Sequence, residues 1–198
     1  MNPWKRGSLK LGLCVSVLAL LTASSFAQAP ASTPAPDWKA VVQSRLALYG
    51  HRNWIVVADS AFPAYANPGI ETIVVNDDMA SVLRYVTGAI ASSRHVRASV
   101  FVDQELYFVD ARDYPGLSEL RKQMTELFAK NPTFTAPHAE MIAKVDEAGK
   151  TFQVLFIKTT ETIPYTTVFM RLDCGYLSDE GERKIRTAMS AAIKPQPK

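Results

Sequence analysis

Gly50-His51-Arg52-Asn53 leads into the apolar run Trp54-Ile55-Val56-Val57-Ala58, and Asp59-Ser60-Ala61-Phe62-Pro63 follows it. A histidine just before a buried strand and a carboxylate just after it are candidates for acid/base chemistry, because an imidazole exchanges protons near ambient pH. Each residue also has an ordinary reading, His51 as a surface residue and Asp59 as a turn or cap residue. A strand rises about 3.3 Å per residue, so an extended chain holds the two more than about 20 Å apart. Within one subunit they meet only if the chain bends sharply. A joint site more easily takes them from neighbouring subunits, which points to an oligomer.

Other chemistries find little support. The three histidines, His51, His95 and His138, form no short-spaced metal motif. No glycine-rich phosphate loop, paired-cysteine zinc spacing, HExxH or Gly-x-Ser-x-Gly elbow occurs. His95, within Ser92-Ser93-Arg94-His95-Val96-Arg97, reads as a surface residue at a helix–strand junction.

The elements that must position these residues alternate along the chain. Asp37 is placed to cap a helix over 38–49, with Val41, Val42, Leu46 and either Leu48 or Tyr49 on its apolar side. Gly50 suits a left-handed position ending that helix. The run 54–58 has the continuous apolar character of a strand buried on both faces. Further strands are expected at 71–75, 98–102, 106–109, 152–158 and 167–172. Helices are expected over 79–92, 116–130, 138–147 and 177–193, and loops over 59–69 and around Pro132 and Pro137. Buried strands alternating with amphipathic helices predict a layered α/β domain.

The N-terminus has another purpose. Lys5, Arg6 and Lys10 precede the apolar stretch 11–22, and Ala23-Ser24-Ser25-Phe26-Ala27 follows. That order predicts a signal peptide over 1–27, cleaved after Ala27, and a periplasmic or secreted product. The apolar run of about a dozen residues is short of the roughly 20 that span a bilayer. Residues 28–37 form a Pro/Ala linker, 38–177 the domain, and 178–198 a C-terminal helix and tail. The formal charge of +3 arises from 22 Lys+Arg and 19 Asp+Glu. Removal of the three leader cations leaves 19 of each, so charge gives no reason to expect nucleic acid or a membrane surface as partner. Cys14 leaves with the leader, so Cys174 has no intrachain disulfide partner and reads as a small buried hydrophobe.

Gly50-His51, the Val56-Val57-Ala58-Asp59 strand end and Ala61-Phe62-Pro63 resemble the signature of the ribose pyranase and fucose mutarotase family (RbsD/FucU). Members read Gly-His-x-Asp, an apolar strand, then Asp-Ala-x-[Phe/Leu]-Pro with the same gap. Glu161-Thr162-Ile163-Pro164-Tyr165-Thr166-Thr167 is similar to the family's Gly-Glu-x-x-x-Tyr-x-Asn. The resemblance spans about 38–176. It implies a single three-layer α/β/α domain in a ring-like homo-oligomer such as a decamer, acting on a ribose- or fucose-like monosaccharide without a metal or organic cofactor. It implies His51 as the acid/base, Asp59 and Tyr165 as sugar ligands with Thr167 at the family's Asn position, and His138 at its His/Arg position. His138 could equally be structural, following Pro137 at a helix start. Asn53 stands where the family has Asp, and Thr167 where it has Asn. Three readings follow: a sugar mutarotase or pyranase, an exported monosaccharide-binding protein without catalysis, or a structural oligomer that binds no sugar.

Overall fold

The computed structural model describes residues 37–192. The expected signal peptide (1–27), the linker up to 36 and the tail from 193 lie outside the described residues. Six strands make one sheet: β1 (Trp54–Ala58), β2 (Ile70–Val74), β3 (Val96–Asp103), β4 (Thr133–Ala136), β5 (Val154–Lys158) and β6 (Val168–Cys174). Their order across the sheet is β2-β5-β1-β6-β3-β4. All run parallel except β6, which is antiparallel to both β1 and β3.

Every residue of β1 is buried, as its continuous apolar run requires, because β5 and β6 flank it and helices cover both faces. Ile55 and Val57 join one core with α1 (Trp38–Leu48), α2 (Met79–Ser92) and α3 (Leu117–Leu127), through residues such as Val42, Val86 and Leu117. Trp54, Val56 and Ala58 join a second core with Phe62 and with Met141 and Val145 of α4 (His138–Gly149). The domain is therefore the expected three-layer α/β/α sandwich. A last helix, α5 (Asp179–Ala192), buries no residue.

The capping residues behave as their chemistry dictates. The Asp37 carboxylate accepts from the Lys39 amide at 3.0 Å. Asp78 accepts from the Ser81 amide at 2.9 Å and hydroxyl at 2.7 Å. The Ser81 hydroxyl and amide hold the Asp78 carboxyl below its usual range. Loss of such a cap costs about 1 kcal/mol. Asp78→Ala is expected to lower stability by that amount in a urea melt at pH 7, with an unchanged denaturant slope.

Four expectations need correction. Gly50 is not left-handed; Arg52 takes that conformation at φ 71°, and the Asn53 side chain accepts from the Gly50 amide. Residues 106–109 are not a strand: Gln104–Phe108 is a 3-10 helix. Leu106 points into the core while Tyr107 and Phe108 are exposed, and the Arg121 guanidinium bonds the Leu106 and Val109 carbonyls. The region read as a loop near Pro132 contains β4, an edge strand paired in parallel with β3. An edge strand tolerates bounding prolines, and here the Pro132 carbonyl accepts from the Val100 amide at 2.8 Å. Cys174 is half-buried at the end of β6 rather than sealed in the core.

Candidate functional site

The sheet directions decide which residues can meet. Five strands are parallel, so their C-terminal ends share one edge, where the antiparallel β6 begins. Ligand sites of open α/β sheets form outside that edge. Asp59 follows β1, Asp103 ends β3, His138 follows β4, and Tyr165 and Thr167 precede β6. Asp59, Phe62, His138, Pro164 and Tyr165 line a cavity of about 330 Å³ there. Ligand pockets run roughly 300–1,000 Å³, so this one suits a single small ring.

Asp59 serves two ends at once. Its Oδ1 accepts from the Ala61 amide at 2.9 Å, which folds the chain into the Phe62 loop. Its Oδ2 accepts from the Thr167 hydroxyl at 3.1 Å, which joins the two motifs recognised in the sequence. The Ser60 amide adds a bond to the Glu161 carbonyl at 2.8 Å, and Glu161 Oε1 accepts from the Thr162 and Ile163 amides. Thr167 is fully buried, so its hydroxyl orients the carboxylate from behind. Tyr165 stands at φ 59°, a left-handed conformation that costs a non-glycine residue about 1–2 kcal/mol. That strain aims an exposed phenol at the cavity rim.

His138 is placed by the β3/β4 pairing. Asp103 and Ala136 are register partners, so the residue two beyond Ala136 comes beside Asp103. The His138 Nδ1 lies 2.7 Å from Asp103 Oδ2. The His138 backbone amide donates to both Glu105 oxygens at 3.1 and 3.0 Å, pinning the first turn of α4. Phe62 and Tyr165 meet the imidazole edge-on, with ring centroids at 5.7 and 5.4 Å. Asp103 was not anticipated from the sequence. A usable signal existed: Val102-Asp103 repeats the Ala58-Asp59 pattern of an apolar strand ending in a carboxylate.

Asp103 is 0% exposed, and its Oδ1 has no hydrogen-bond partner. Burial pushes its carboxyl up to about 6, against the opposing pull of His138. A pKa higher in the folded state than its model value of 3.8 means the native state holds the proton more tightly. This group's contribution therefore favours folding at low pH and is lost as pH rises from 3.8 through about 6. Asp103→Asn keeps a polar side chain of the same size facing Nδ1 and removes the buried charge. It should stabilise the fold by about 1–3 kcal/mol at pH 7.5 and by almost nothing at pH 4. Urea melts at the two pH values check this.

The structure brings Asp59, His138, Tyr165 and Thr167 together and leaves His51 apart. His51 is exposed in the turn before β1, at the opposite edge of the sheet. The five residues of β1 alone separate it from Asp59 by about 16 Å. His95 is exposed, but its ring is engaged: Nε2 lies 3.1 and 3.0 Å from the Leu46 and Tyr49 carbonyls, closing the end of α1. Among the described residues no cluster of His, Cys, Asp and Glu could hold a metal ion.

No curated protein matches the chain. Among solved structures, RbsD of Bacillus subtilis complexed with D-ribose is 19% identical. That alignment covers 68% of this chain and 92% of that one at a TM-score of 0.48. FucU of Bifidobacterium longum is 13% identical over 67% and 92% of the two chains, at a TM-score of 0.47. The fucose mutarotase of Streptococcus pneumoniae in complex with L-fucose is 16% identical over 70% and 92%, at a TM-score of 0.46. A family sequence profile matches residues 39–177, more than half of the chain, and on that match the chain belongs to the RbsD / FucU transport protein family.

Proposed function

We propose that this chain binds a free monosaccharide at the strand-end cavity and interconverts its ring or anomeric forms, as an exported protein. The observation that carries the reading is convergence: two sequence motifs more than a hundred residues apart meet through the Thr167–Asp59 bond beside Tyr165 and His138. Carboxylate, phenol and imidazole are the groups that bind sugar hydroxyls, and Phe62 and Pro164 supply an apolar wall. Family membership supports the same substrate class.

The chemistry moves protons only. One leaves the anomeric hydroxyl, the bond from C1 to the ring oxygen breaks, and the ring oxygen takes one up. The C1–C2 bond turns and the ring closes again. Side-chain acids and bases suffice for this. His51 acts as an acid/base of the site from a neighbouring copy in a homo-oligomer, since its own pocket lies at the far end of β1. Calorimetric titration with ribose, fucose, galactose and glucose tests the binding. At least one should bind, and Tyr165→Ala should weaken it about tenfold or more. No heat with any of the four contradicts the reading.

Asn53 and Thr167 at family positions favour a second reading, a binding protein without catalysis. Asn53 is occupied structurally: it accepts from the Gly50 amide and donates to the Gln153 carbonyl. This reading expects saturable sugar binding with no acceleration of anomer exchange.

A further inference from the structure

We infer that His138 is itself a proton-transfer residue of the pocket and that Asp103 is its positioning residue, the carboxylate fixing the imidazole so that Nε2 serves the substrate. The inference rests on the reading of the cavity as a monosaccharide site. Three independent contacts hold the ring: Nδ1 against Asp103 Oδ2 at 2.7 Å, and the edge-on rings of Phe62 and Tyr165. The Glu105 carboxylate fixes the backbone beneath it. An ionised Asp103 can only accept, so Nδ1 carries the proton and Nε2 keeps its lone pair. Nε2 has no hydrogen-bond partner among the described residues and is not a sealed atom, while the residue lines the cavity.

The arrangement has no evident structural purpose. A carboxylate with one orphaned oxygen, completely enclosed at the end of β3, is unfavourable for folding, and an apolar residue there would be easier to bury. It gains a use when the imidazole becomes a cation. During ring opening, Nε2 takes the proton of the anomeric hydroxyl as the bond from C1 to the ring oxygen breaks. The ring oxygen takes its proton from the second acid, the imidazolium of His51 of a neighbouring copy. On reclosure both protons return, and nothing is oxidised or reduced. Asp103 stabilises the transient charge on His138 through a short, enclosed bond.

The groups facing Asp103 define the pH response. His138 on α4, Glu105 on the 3-10 helix and Asp59 after β1 act on it electrostatically. With burial holding its carboxyl at about 6, the productive form appears as pH rises through that value, and exchange should rise with it.

The test compares the native chain with Asp103→Asn by saturation-transfer NMR of anomer exchange, and reads the His138 ring by its nitrogen-15 shifts. The native chain should show the Nδ1–H tautomer at pH 7.5. Asp103→Asn should lower kcat by about 10²–10⁴-fold while leaving KM within about threefold, and should remove the limb near pH 6. An Nε2–H tautomer in the native chain overturns the inference, whatever the variant's stability. So does an Asp103→Asn variant that keeps the native kcat and pH profile, and in that case the sugar reading stands. If the native chain binds a sugar but accelerates none, the catalytic reading fails and takes this inference with it, while the cavity remains a sugar site.

Discussion

His51→Ala should slow anomer exchange by about 10²–10⁴-fold, the usual worth of a positioned acid or base. Its melting temperature should not change, because the side chain is exposed in the turn before β1. The more telling result concerns pairs of subunits. Within one copy His51 and the cavity lie at opposite edges of the sheet, so under the proposed mechanism the site takes His51 from one copy and Asp59 from another. Asp59→Ala should be inactive as well, since it removes the carboxylate and leaves the buried Thr167 hydroxyl unpaired. Co-assembly of the two inactive variants at equal amounts rebuilds intact sites wherever an Asp59→Ala subunit donates its histidine to a His51→Ala subunit. Random pairing makes about a quarter of the sites native. Recovery near that level is the expected outcome. Co-assembled but wholly inactive mixtures would count against the shared site.

Phe156→Ala should cost about 3–5 kcal/mol, the range for emptying a large aromatic from a packed core. Phe156 is 1% exposed in the middle of β5 and is the register partner of both Val56 and Thr72. Its ring meets Phe62 at 5.1 Å and Tyr65 at 5.2 Å. Phe62 in turn walls the cavity and touches the His138 ring. The substitution therefore removes support from the site as well as from the core. Sugar affinity should fall in the fraction that remains folded, and Phe156→Leu should recover most of both. Urea melts give the stability, and calorimetry below the transition gives the affinity.

Local pattern carried much of this fold. The unbroken apolar run 54–58 declared a strand covered on both faces, and the spacing of Val82, Leu83, Val86 and Ile90 declared α2 at its observed bounds. The two ends of the site were legible because each lies within a short motif, Asp59 after β1 and Tyr165 to Thr167 before β6. What bound them was not legible, since the Thr167–Asp59 bond joins residues 108 apart.

The partner of His138 was hidden for a related reason. Three of the four residues of β4 are exposed and prolines bracket it, so nothing periodic marks it as a strand. Its structure comes from pairing with β3, a non-local event, and only that register sets His138 beside Asp103. Leu106, Tyr107, Phe108 and Val109 have strand-like side chains, yet Gln104–Phe108 is a 3-10 helix with Leu106 buried and the Leu106 and Val109 carbonyls taken by Arg121. Local preference yielded there to tertiary structure.

Saturation-transfer NMR of anomer exchange by the chain from residue 28 onward, offered ribose, fucose, galactose and glucose in turn, tests the central claim most directly. The account expects at least one sugar to exchange faster in proportion to protein concentration, with the acceleration lost in His51→Ala. Exchange at the uncatalysed rate with all four sugars would contradict it.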